Sequence, residues 1–545
     1  MISPSSICSL AAVLGPSPEG HLPTTFSKEE FTSMRHELPI ALVVSLWMAA
    51  LAVPASRAQA QDATSGTGDA RPNVVFILAD NVGYGDMGPF GGGELRGAPT
   101  PNVDQLAAEG LKLTQFLVEP ACTPTRAALM TGQYSIRNGL SLVIVGKGGN
   151  TLPADAYTMG QLFKDAGYAT AIYGKWHLGG APQSLPTAHG FDEFYGIPPD
   201  LSWDSATYAD AIHMTHSSAK SLDDLIKEGP HIVEATAGGA LQKVEPYTPE
   251  VRAEIDVELV EKSIDFMKRQ AQAGTPFFLY LPFSMGHVPN LPSKDFAGKS
   301  RIGQYGDKMM EGDHHVGQIM ASLKELGVED NTILVFASDN GPYGQVARAF
   351  GNQQSPDTGN SGPFRGELGD VTEGSIRTFA FVRWPGHVAP GTSSYAMFSV
   401  MDFLPTFASI IGKDLPTDRA IDGVDQTDVL MGTSARGHRT GMLSFVGPDL
   451  LAARVEQWRV YFTDVQPSGA GPQVLPGIGA SNSELMGYPK LYNIEMDPYE
   501  TLNMVADYPW ALLAGLKEVE EYEATLKDHP NPPSANLTDF RGRTD

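Results

Sequence analysis

Short, uninterrupted runs of hydrophobic residues recur along the chain and predict buried strands. A run without polar positions is typical of a strand that is covered on both faces. Five such runs lie at 73–79 (NVVFILA), 169–173 (ATAIY), 277–283 (FFLYLPF), 332–337 (TILVFA) and 378–382 (TFAFV). We assign each of them to a strand.

Segments with helical spacing of hydrophobic residues separate these strands. Residues 102–110 predict a helix, with Pro101 at its first position and Gly110 at its end. Residues 307–326 predict a second helix, which stops at Gly327. Strands that alternate with helices predict an α/β fold, in which helices flank a large mixed sheet that is mostly parallel.

The last part of the chain has a different pattern. Residues 454–462 (RVEQWRVYF) and the vicinity of Leu491 favour strands, and the residues from about His529 are polar and rich in proline. We therefore divide the folded part of the chain into a large α/β domain at 71–436 and a smaller C-terminal α/β domain at 437–545. We expect the smaller domain to carry an antiparallel sheet and to end in a tail.

The N-terminal region has the composition of a secretory signal. Residues 40–53 are apolar, Arg35 precedes them, and the small-residue motif Ala58-Gln59-Ala60 follows. A stretch this short does not comfortably span a bilayer core of about 30 Å, although an N-terminal anchor is the alternative. We interpret the region as an upstream translation artefact, a signal peptide and a linker, at 1–33, 34–60 and 61–70. We expect an exported protein, periplasmic or secreted, without a stable membrane span.

Composition and charge narrow the range of functions. The chain has 545 residues, of which 42% are hydrophobic and 19% are charged, as in an ordinary globular protein. Its formal net charge of −25 argues against a nucleic-acid partner, because such binding needs a basic surface. Of the two cysteines, Cys8 lies in the upstream segment, so Cys122 has no partner for a disulfide in the mature chain.

Polar side chains follow four of the predicted strands at the point where each strand ends. In an open α/β sheet, ligands bind beyond the carboxyl ends of the strands. The side chains are Asp80 and Asn81, Lys175 and His177, His287, and Asp339 and Asn340. We expect them to meet at one edge of the sheet.

The two Asp-Asn pairs predict a divalent metal site. Their carboxylate and amide oxygens are the ligands that Ca²⁺ and Mg²⁺ prefer, and no cysteine or histidine pair has zinc spacing. Either pair alone could be an ordinary turn at a strand end. Together with the sequence around Cys122, they favour a metal bound by Asp80, Asn81, Asp339 and Asn340.

Several cationic or ionisable side chains could surround a tetrahedral anion beside this metal. An arginine offers planar, multiple donors to such an anion. The candidates are Arg126, Lys175, His177, His287 and Arg365. On an extended segment, alternation would place Lys175 and His177 on the same side of the chain.

Cys122 begins the sequence Cys-Thr-Pro-Thr-Arg, which ends at Arg126. Cysteine phosphatases place their arginine six residues after the cysteine, where this chain has Ala128. The chain also lacks the G-x-S-x-G motif of serine hydrolases. The spacing matches C-x-P-x-R, the sulfatase signature in which the cysteine is oxidised to formylglycine.

Further motifs extend this match over about 72–503. They are RPNVVFILADNVGYGDMG, TPNVDQLAAEGLKLTQF, CTPTRAALMTGQY, YGKWHLG, HGFDEFYGI, LKELGVEDNTILVFASDNGP and LYNIEMDPYETLN. The chain thus resembles the formylglycine-dependent sulfatases of the arylsulfatase type, in the alkaline phosphatase superfamily. The resemblance implies hydrolysis of a small-molecule or saccharide sulfate ester, a Ca²⁺ or Mg²⁺ ion, and maturation by a formylglycine-generating enzyme.

The resemblance also implies a role for each site residue. Cys122 would become formylglycine, whose hydrate is the nucleophile, and Arg126 would stabilise that hydrate. Lys175 and His287 would contact sulfate, and His287 would protonate the leaving oxygen. His177 would help to expel sulfate from the intermediate. The metal would lie beside the hydrate, on the two Asp-Asn pairs.

Two positions depart from the family pattern. The family usually has a second aspartate where this chain has Asn81, so one negative charge is lost from the metal site. A sulfate-binding lysine of the family is replaced by Leu368, which leaves Arg365 or another cation as its substitute. A phosphonate monoester or phosphodiester hydrolase with the same modified cysteine is the alternative enzyme. An inactive, sulfatase-like binding protein is the third possibility.

Overall fold

The computed structural model describes residues 71–144, 150–197, 230–343, 359–463 and 485–534. They belong to one compact unit, Asp69–Asp545. The predicted artefact, signal peptide and linker lie outside the described residues and stay predictions. Among the described residues, no helix combines the length and the apolar composition that a membrane crossing requires.

A ten-stranded mixed sheet forms the centre of the described structure. Its strand order is β10-β2-β9-β8-β1-β7-β3-β4-β5-β6. The strands are β1 Asn73–Ala79, β2 Leu111–Leu117, β3 Ala169–Tyr173, β4 Glu193–Gly196, β5 His231–Thr236, β6 Gln242–Pro246, β7 Phe277–Pro282, β8 Thr332–Ser338, β9 Arg377–Arg383 and β10 Thr392–Ser399. The five adjacent strands β8, β1, β7, β3 and β4 are parallel, whereas β9 runs antiparallel to both of its neighbours.

All five predicted strands are present, as β1, β3, β7, β8 and β9, with ends that differ from the prediction by one residue at most. The predicted helix at 102–110 is confirmed as α1, with Pro101 at its first position. The helix expected at 307–326 begins four residues earlier. The strands β2, β4, β5, β6 and β10 have shorter or mixed hydrophobic patterns, and the sequence pattern did not reveal them.

Helices cover both faces of the sheet, as the alternation of strands and helices predicted. Along β1, Val74, Phe76 and Leu78 face one core and Val75 and Ile77 face the other, because successive side chains of a strand point to opposite faces. The helices are α1 Pro101–Glu109, α2 Cys122–Thr131, α3 Met159–Asp165, α4 Pro249–Ala273, α5 Gly303–Glu325, α6 Glu373–Ile376, α7 Phe403–Ile410, α8 Thr427–Leu430 and α9 Leu512–Thr525.

The C-terminal region carries an antiparallel sheet of four strands, as predicted. The strands, in the order in which they pair, are β11 Gly441–Val446, β12 Asp449–Val455, β13 Trp458–Thr463 and β14 Leu485–Asn493. The single strand expected at 454–462 was wrong. Val455 and Trp458 pair across a tight turn in which Glu456 has a φ of 45°, so the apolar run is a hairpin. Leu443 and Val460 share one core with the large sheet.

Candidate active site

The carboxyl ends of β1, β7 and β8 are joined by hydrogen bonds. The Asp80 amide donates to the carbonyl of Met285 at 3.0 Å, and the Asp339 amide donates to the carbonyl of Ala79 at 3.1 Å. The Asn81 amide donates to Oδ1 of Asp339 at 3.0 Å. Asn81 has a φ of 61°, a left-handed conformation that asparagine tolerates better than most residues. These bonds fix the two aspartates beside each other.

Cys122 lies at the first position of α2 and reaches this edge of the sheet. Its Sγ lies 3.3 Å from Oδ1 of Asp80 and 3.5 Å from Oδ1 of Asn81. The side chain is buried, and the N-terminal end of a helix favours an anion nearby. Burial, followed by the charge of Asp80, raises the pKa of the Cys122 thiol well above its ordinary value. These surroundings therefore disfavour a free thiolate.

Arg126, one turn further along α2, is fully buried and connects three parts of the site. Its guanidinium donates to Oδ2 of Asp339 at 2.8 Å and to the carbonyl of Lys175 at 2.9 Å. It also lies 3.4 Å from Oδ2 of Asp80. A charged group held by this many partners has a fixed position, so it can act as a preorganised source of positive charge.

Lys175 follows β3, and its ammonium contacts Oδ2 of Asp80 at 2.5 Å. Burial works against ionisation of the Asp80 carboxyl, but the charges of Lys175, His287 and Arg126 together lower its pKa far below the usual value. For Asp339 the net shift is the opposite, because burial and the charge of neighbouring Asp80 raise the pKa of its carboxyl. The two aspartates therefore have distinct electrostatic environments although they are neighbours.

His177 is buried near Lys175, but not through the alternation that we expected. Its φ is 59°, so the segment is not extended at this point and that reasoning was wrong. Its Nε2 donates to the carbonyl of Ile144 at 2.8 Å, and its Nδ1 has no hydrogen-bond partner among the described residues. Burial and the charge of Lys175 lower the pKa of His177 well below its ordinary value. A neutral imidazole with an available nitrogen can accept a proton.

His287 lies in the loop that follows β7. Its Nδ1 donates to the carbonyl of Val288 at 2.6 Å, and its ring lies 6.2 Å from the ring of Tyr343. Burial and the charge of Lys175 lower the pKa of His287 to about 3. One ligand atom each of Asp80, Cys122 and His287 lies within 4.8 Å of the others. The side chains that follow β1, β3, β7 and β8 thus lie close together at one edge of the sheet.

The arrangement of oxygen atoms fits a hard divalent cation. Asn340 donates its amide to Oδ1 of Asn81 at 2.7 Å, while its own Oδ1 has no partner among the described residues. A buried carbonyl oxygen without a partner is costly, and a cation would satisfy it. Asp80 and Asp339 add two carboxylates, and all four side chains are fully buried. The four predicted ligands thus lie together and have the donor chemistry of a Ca²⁺ or Mg²⁺ site.

Arg365 is not brought to this group of residues by its described contacts. Its guanidinium pairs with Glu500 at 3.0 Å and lies over the ring of Tyr492. Leu368, by contrast, packs with Ala121, the residue before Cys122, in a small apolar cluster. Leu368 is therefore close to Cys122, whereas a sulfate contact by Arg365 stays a prediction.

Two supporting residues of the site were not identified from the sequence. The Thr123 hydroxyl donates to the carbonyl of His177 at 3.2 Å and accepts from the amide of Ile144 at 3.1 Å. Ile144 in turn holds the His177 ring through its carbonyl. Thr123 lies inside the cysteine motif, which was a local signal. Ile144 had no local signal, because its role comes from a backbone carbonyl.

Comparison with known proteins assigns the chain to a family. A family model described as Sulfatase matches residues 72–413. Arylsulfatase A from Bos taurus is 32% identical over 490 residues, which cover 88% of this chain and 90% of that protein. N-acetylgalactosamine-6-sulfatase from Canis lupus familiaris is 31% identical over 496 residues, which cover 86% of this chain and 88% of the relative. The crystal structure of the PsFucS1 sulfatase from Pseudoalteromonas sp. matches with a TM-score of 0.74 and 31% identity, over 85% of this chain and 92% of that one.

The family model covers more than half of the chain, and the relatives cover most of it at more than 30% identity. The large mixed sheet and the separate antiparallel sheet agree with that assignment. The chain therefore belongs to the sulfatase family and is a sulfuric ester hydrolase.

Proposed function

We propose that the protein hydrolyses sulfate esters with a formylglycine formed from Cys122 and with a divalent cation, Ca²⁺ or Mg²⁺. The observation that carries this proposal is the position of Cys122. Its buried side chain lies at the N-terminal end of α2 and contacts Asp80, which Lys175 and Arg126 also contact. A thiol in these surroundings is protonated and weakly nucleophilic, which favours a modified side chain over a thiolate.

Asp80, Asn81, Asp339 and Asn340 would hold the cation. When present, the cation and the hydrated aldehyde would supply charge neutralisation at the sulfuryl oxygens and an oxygen nucleophile for sulfur. Asp339 is suited to accept the proton of the attacking hydroxyl, because its raised pKa makes it the more basic of the two aspartates. Asp80 stays ionised beside Lys175 and is suited to metal binding.

The cationic side chains would divide the remaining tasks. Arg126 is fixed by Asp339 and by the carbonyl of Lys175, and it would stabilise the hydrated side chain of residue 122. Lys175 and His287 would contact the sulfate group. His287 would donate a proton to the leaving oxygen, and the negative charge of the bound ester would raise the low pKa that His287 has without it.

His177 would complete the cycle. Its Nδ1 would accept a proton from residue 122 when sulfate is expelled, since Nε2 already donates to Ile144. Arg365 is proposed as a further sulfate contact, and its guanidinium pairs with Glu500 in the structure. The catalytic residues lie within the proposed domain at 71–436, and the proposed subdomain at 437–545 packs beside it.

The test is peptide mass spectrometry of the purified protein. Trypsin releases a peptide that begins after Lys112 and ends at Arg126, and this peptide contains residue 122. We expect the lower mass of the aldehyde, in protein from a host with a formylglycine-generating enzyme. An intact thiol in such protein would contradict the mechanism and favour a binding protein instead.

Turnover of an aryl sulfate and an aryl phosphonate on the same preparation tests the substrate class. We expect the sulfate to be the better substrate, and a much faster phosphonate rate would favour the phosphonate hydrolase. The related proteins named above include an arylsulfatase and a sugar sulfatase at similar identity. We therefore propose a small-molecule or saccharide sulfate ester as substrate. We also propose a periplasmic or secreted location, which the mature N-terminus of exported protein would test.

A further inference from the structure

A buried arginine of helix α4 forms hydrogen bonds to the backbone of the loop that carries His287. The guanidinium of Arg252 donates to the carbonyl of His287 at 2.7 Å. It also donates to the carbonyls of Ser284 at 3.3 Å and Pro289 at 3.4 Å. One side chain thus bonds three backbone carbonyls of six consecutive residues. The hydroxyl of Tyr247 accepts from the same guanidinium at 2.7 Å, which fixes its orientation.

Asp256, one helical turn after Arg252, holds the start of the same loop. Its carboxylate accepts from the amide and from the hydroxyl of Ser284, each at 2.8 Å. Residues four positions apart lie on the same face of a helix, so Arg252 and Asp256 meet the loop together. The ammonium of Lys308 on α5 pairs with Asp256 at 3.0 Å and with Glu311 at 3.3 Å.

The loop also packs directly on the turn that carries Asp80. Gly286 has a φ of 90°, and a Cβ atom at this position would lie 2.3 Å from the carbonyl oxygen of Asp80. The loop is therefore held between the Asp80 turn on one side and helix α4 on the other. A displacement of the loop would move His287 relative to the Asp80 carboxylate and to Cys122.

Stability alone does not account for this buried set of charges. Arg252, Asp256, Lys308 and Glu311 are each at most 2% exposed. Desolvation of buried charges costs about as much as their pairing returns, and well-packed apolar residues often replace such groups without loss. The bonds to the loop are specific, however, because a backbone carbonyl accepts only from a donor in the right place. These bonds therefore fix the position of the loop, in addition to filling the space behind it.

We propose that Arg252 and Asp256 are positioning residues, which fix the loop 284–289 so that His287 can donate a proton to the leaving oxygen. The inference rests on the proposed function, in which the S–O bond to the leaving group breaks and that oxygen takes the electron pair and a proton. Arg252 and Asp256 themselves do not touch the ester. A misplacement of about 1 Å in such a donor can cost on the order of 100-fold in rate.

The test compares two esters that differ in their need for a proton. The leaving oxygen of 4-nitrophenyl sulfate is stable as an anion, whereas that of phenyl sulfate requires protonation. We expect Arg252→Met to lower kcat for phenyl sulfate on the order of 100-fold, and for 4-nitrophenyl sulfate much less. Arg269→Met is the matched control, because Arg269 lies on the same helix and pairs at the surface with Glu193. We expect it to leave both rates unchanged.

Ser284→Ala is the milder second variant. It removes only the hydroxyl bond to Asp256, keeps the amide bond, and should fold even if Arg252→Met does not. We expect a smaller loss with the same preference for the better leaving group. Equal losses for both esters in folded variants would overturn the inference, because they would indicate a general loosening of the site.

A double-mutant cycle separates this inference from the proposed role of His287. If Arg252 acts through His287, adding Arg252→Met to His287→Gln should change the phenyl sulfate rate by less than about threefold, so the two effects are not additive. Full additivity would overturn the inference and leave the role of His287 intact. If His287→Gln alone keeps the parent rate for phenyl sulfate, both the role of His287 and the inference are wrong.

Discussion

The carboxyl group of Glu119, three residues before Cys122, is buried, and only one of its two oxygens has a hydrogen-bond partner among the described residues. Its Oε1 accepts from the amide of Ser135 at 3.2 Å, while Oε2 has no hydrogen-bond partner among the described residues. Burial, assisted by the charge of Asp422, raises the pKa of Glu119 from 4.5 to about 8. The Thr125 hydroxyl donates to the carbonyl of Glu119 at 2.9 Å, so this residue also supports the start of α2.

This shift predicts a loss of stability as the pH rises. Below pH 4.5 the carboxyl is protonated in both the folded and the unfolded chain, and the shift contributes nothing. Between pH 4.5 and about 8 the unfolded chain releases the proton and the folded chain retains it, so folding becomes less favourable. At about 1.4 kcal/mol per pH unit, the cost at pH 7 is about 3 kcal/mol. Above pH 8 both states are ionised and the cost stays constant.

The Glu119→Gln variant removes this ionisation and isolates its effect. We expect the free energy of unfolding in urea to fall between pH 5 and pH 7.5 by about 3 kcal/mol more in the parent than in the variant. Glu520→Gln, at an exposed position, is the control and should keep the slope of the parent. Parallel pH profiles for parent and Glu119→Gln would refute the reasoning, because they would mean that Glu119 is ionised to the same extent in both states.

Three further predictions concern the site itself. Cys122→Ala should abolish turnover of an aryl sulfate and leave the melting temperature close to that of the parent, whereas residual turnover above roughly a tenth would contradict the proposed nucleophile. Asn81→Asp adds a negative charge beside the proposed cation. The Kd of this variant for Ca²⁺, measured by calorimetry, should be about tenfold lower than that of the parent, which corresponds to about 1.4 kcal/mol of binding free energy. An unchanged Kd would indicate that residue 81 is not a ligand. Thr123→Val removes both bonds of the Thr123 hydroxyl, one to the carbonyl of His177 and one from the amide of Ile144. It should lower the free energy of unfolding in urea by about 1–3 kcal/mol and lower turnover as well. Thr123→Ser retains the hydroxyl and should behave like the parent, and an equal loss in both variants would argue against those bonds.

The sequence was most informative where a strand is buried on both faces. The runs that became β1, β7 and β8 are apolar throughout, so they were recognisable without knowledge of their neighbours. The strand β2 mixes polar and apolar positions and pairs with β9 on one edge and with β10 on the other. No local sequence pattern reveals this pairing. The turn between β12 and β13 was missed for a similar reason, because its residues, Glu456 and Gln457, are not typical turn residues.

One topological rule predicted the part of the site that follows the strands, whereas Cys122 and Arg126 came from the spacing of their motif. Asp80, Lys175, His287 and Asp339 each follow a strand, and parallel strands place their carboxyl ends at one edge of a sheet. The local conformation was not predicted in the same way. His177 itself has a left-handed backbone conformation. Its imidazole bonds to the backbone carbonyl of Ile144, a group that any residue could have supplied.

By itself, the sequence determined the fold class, the family and most of the side chains that meet at the site. These properties follow from hydrophobic periodicity and from motifs whose residues are close together in the chain. Only the tertiary structure decided which groups hold that site in place. Arg252 and Asp256 lie 35 and 28 residues from the atoms they bond in the loop around Ser284 and His287. Such a contact depends on how helix α4 packs against β7. It therefore cannot be predicted from the identities of residues 252 and 256 and their neighbours in the sequence.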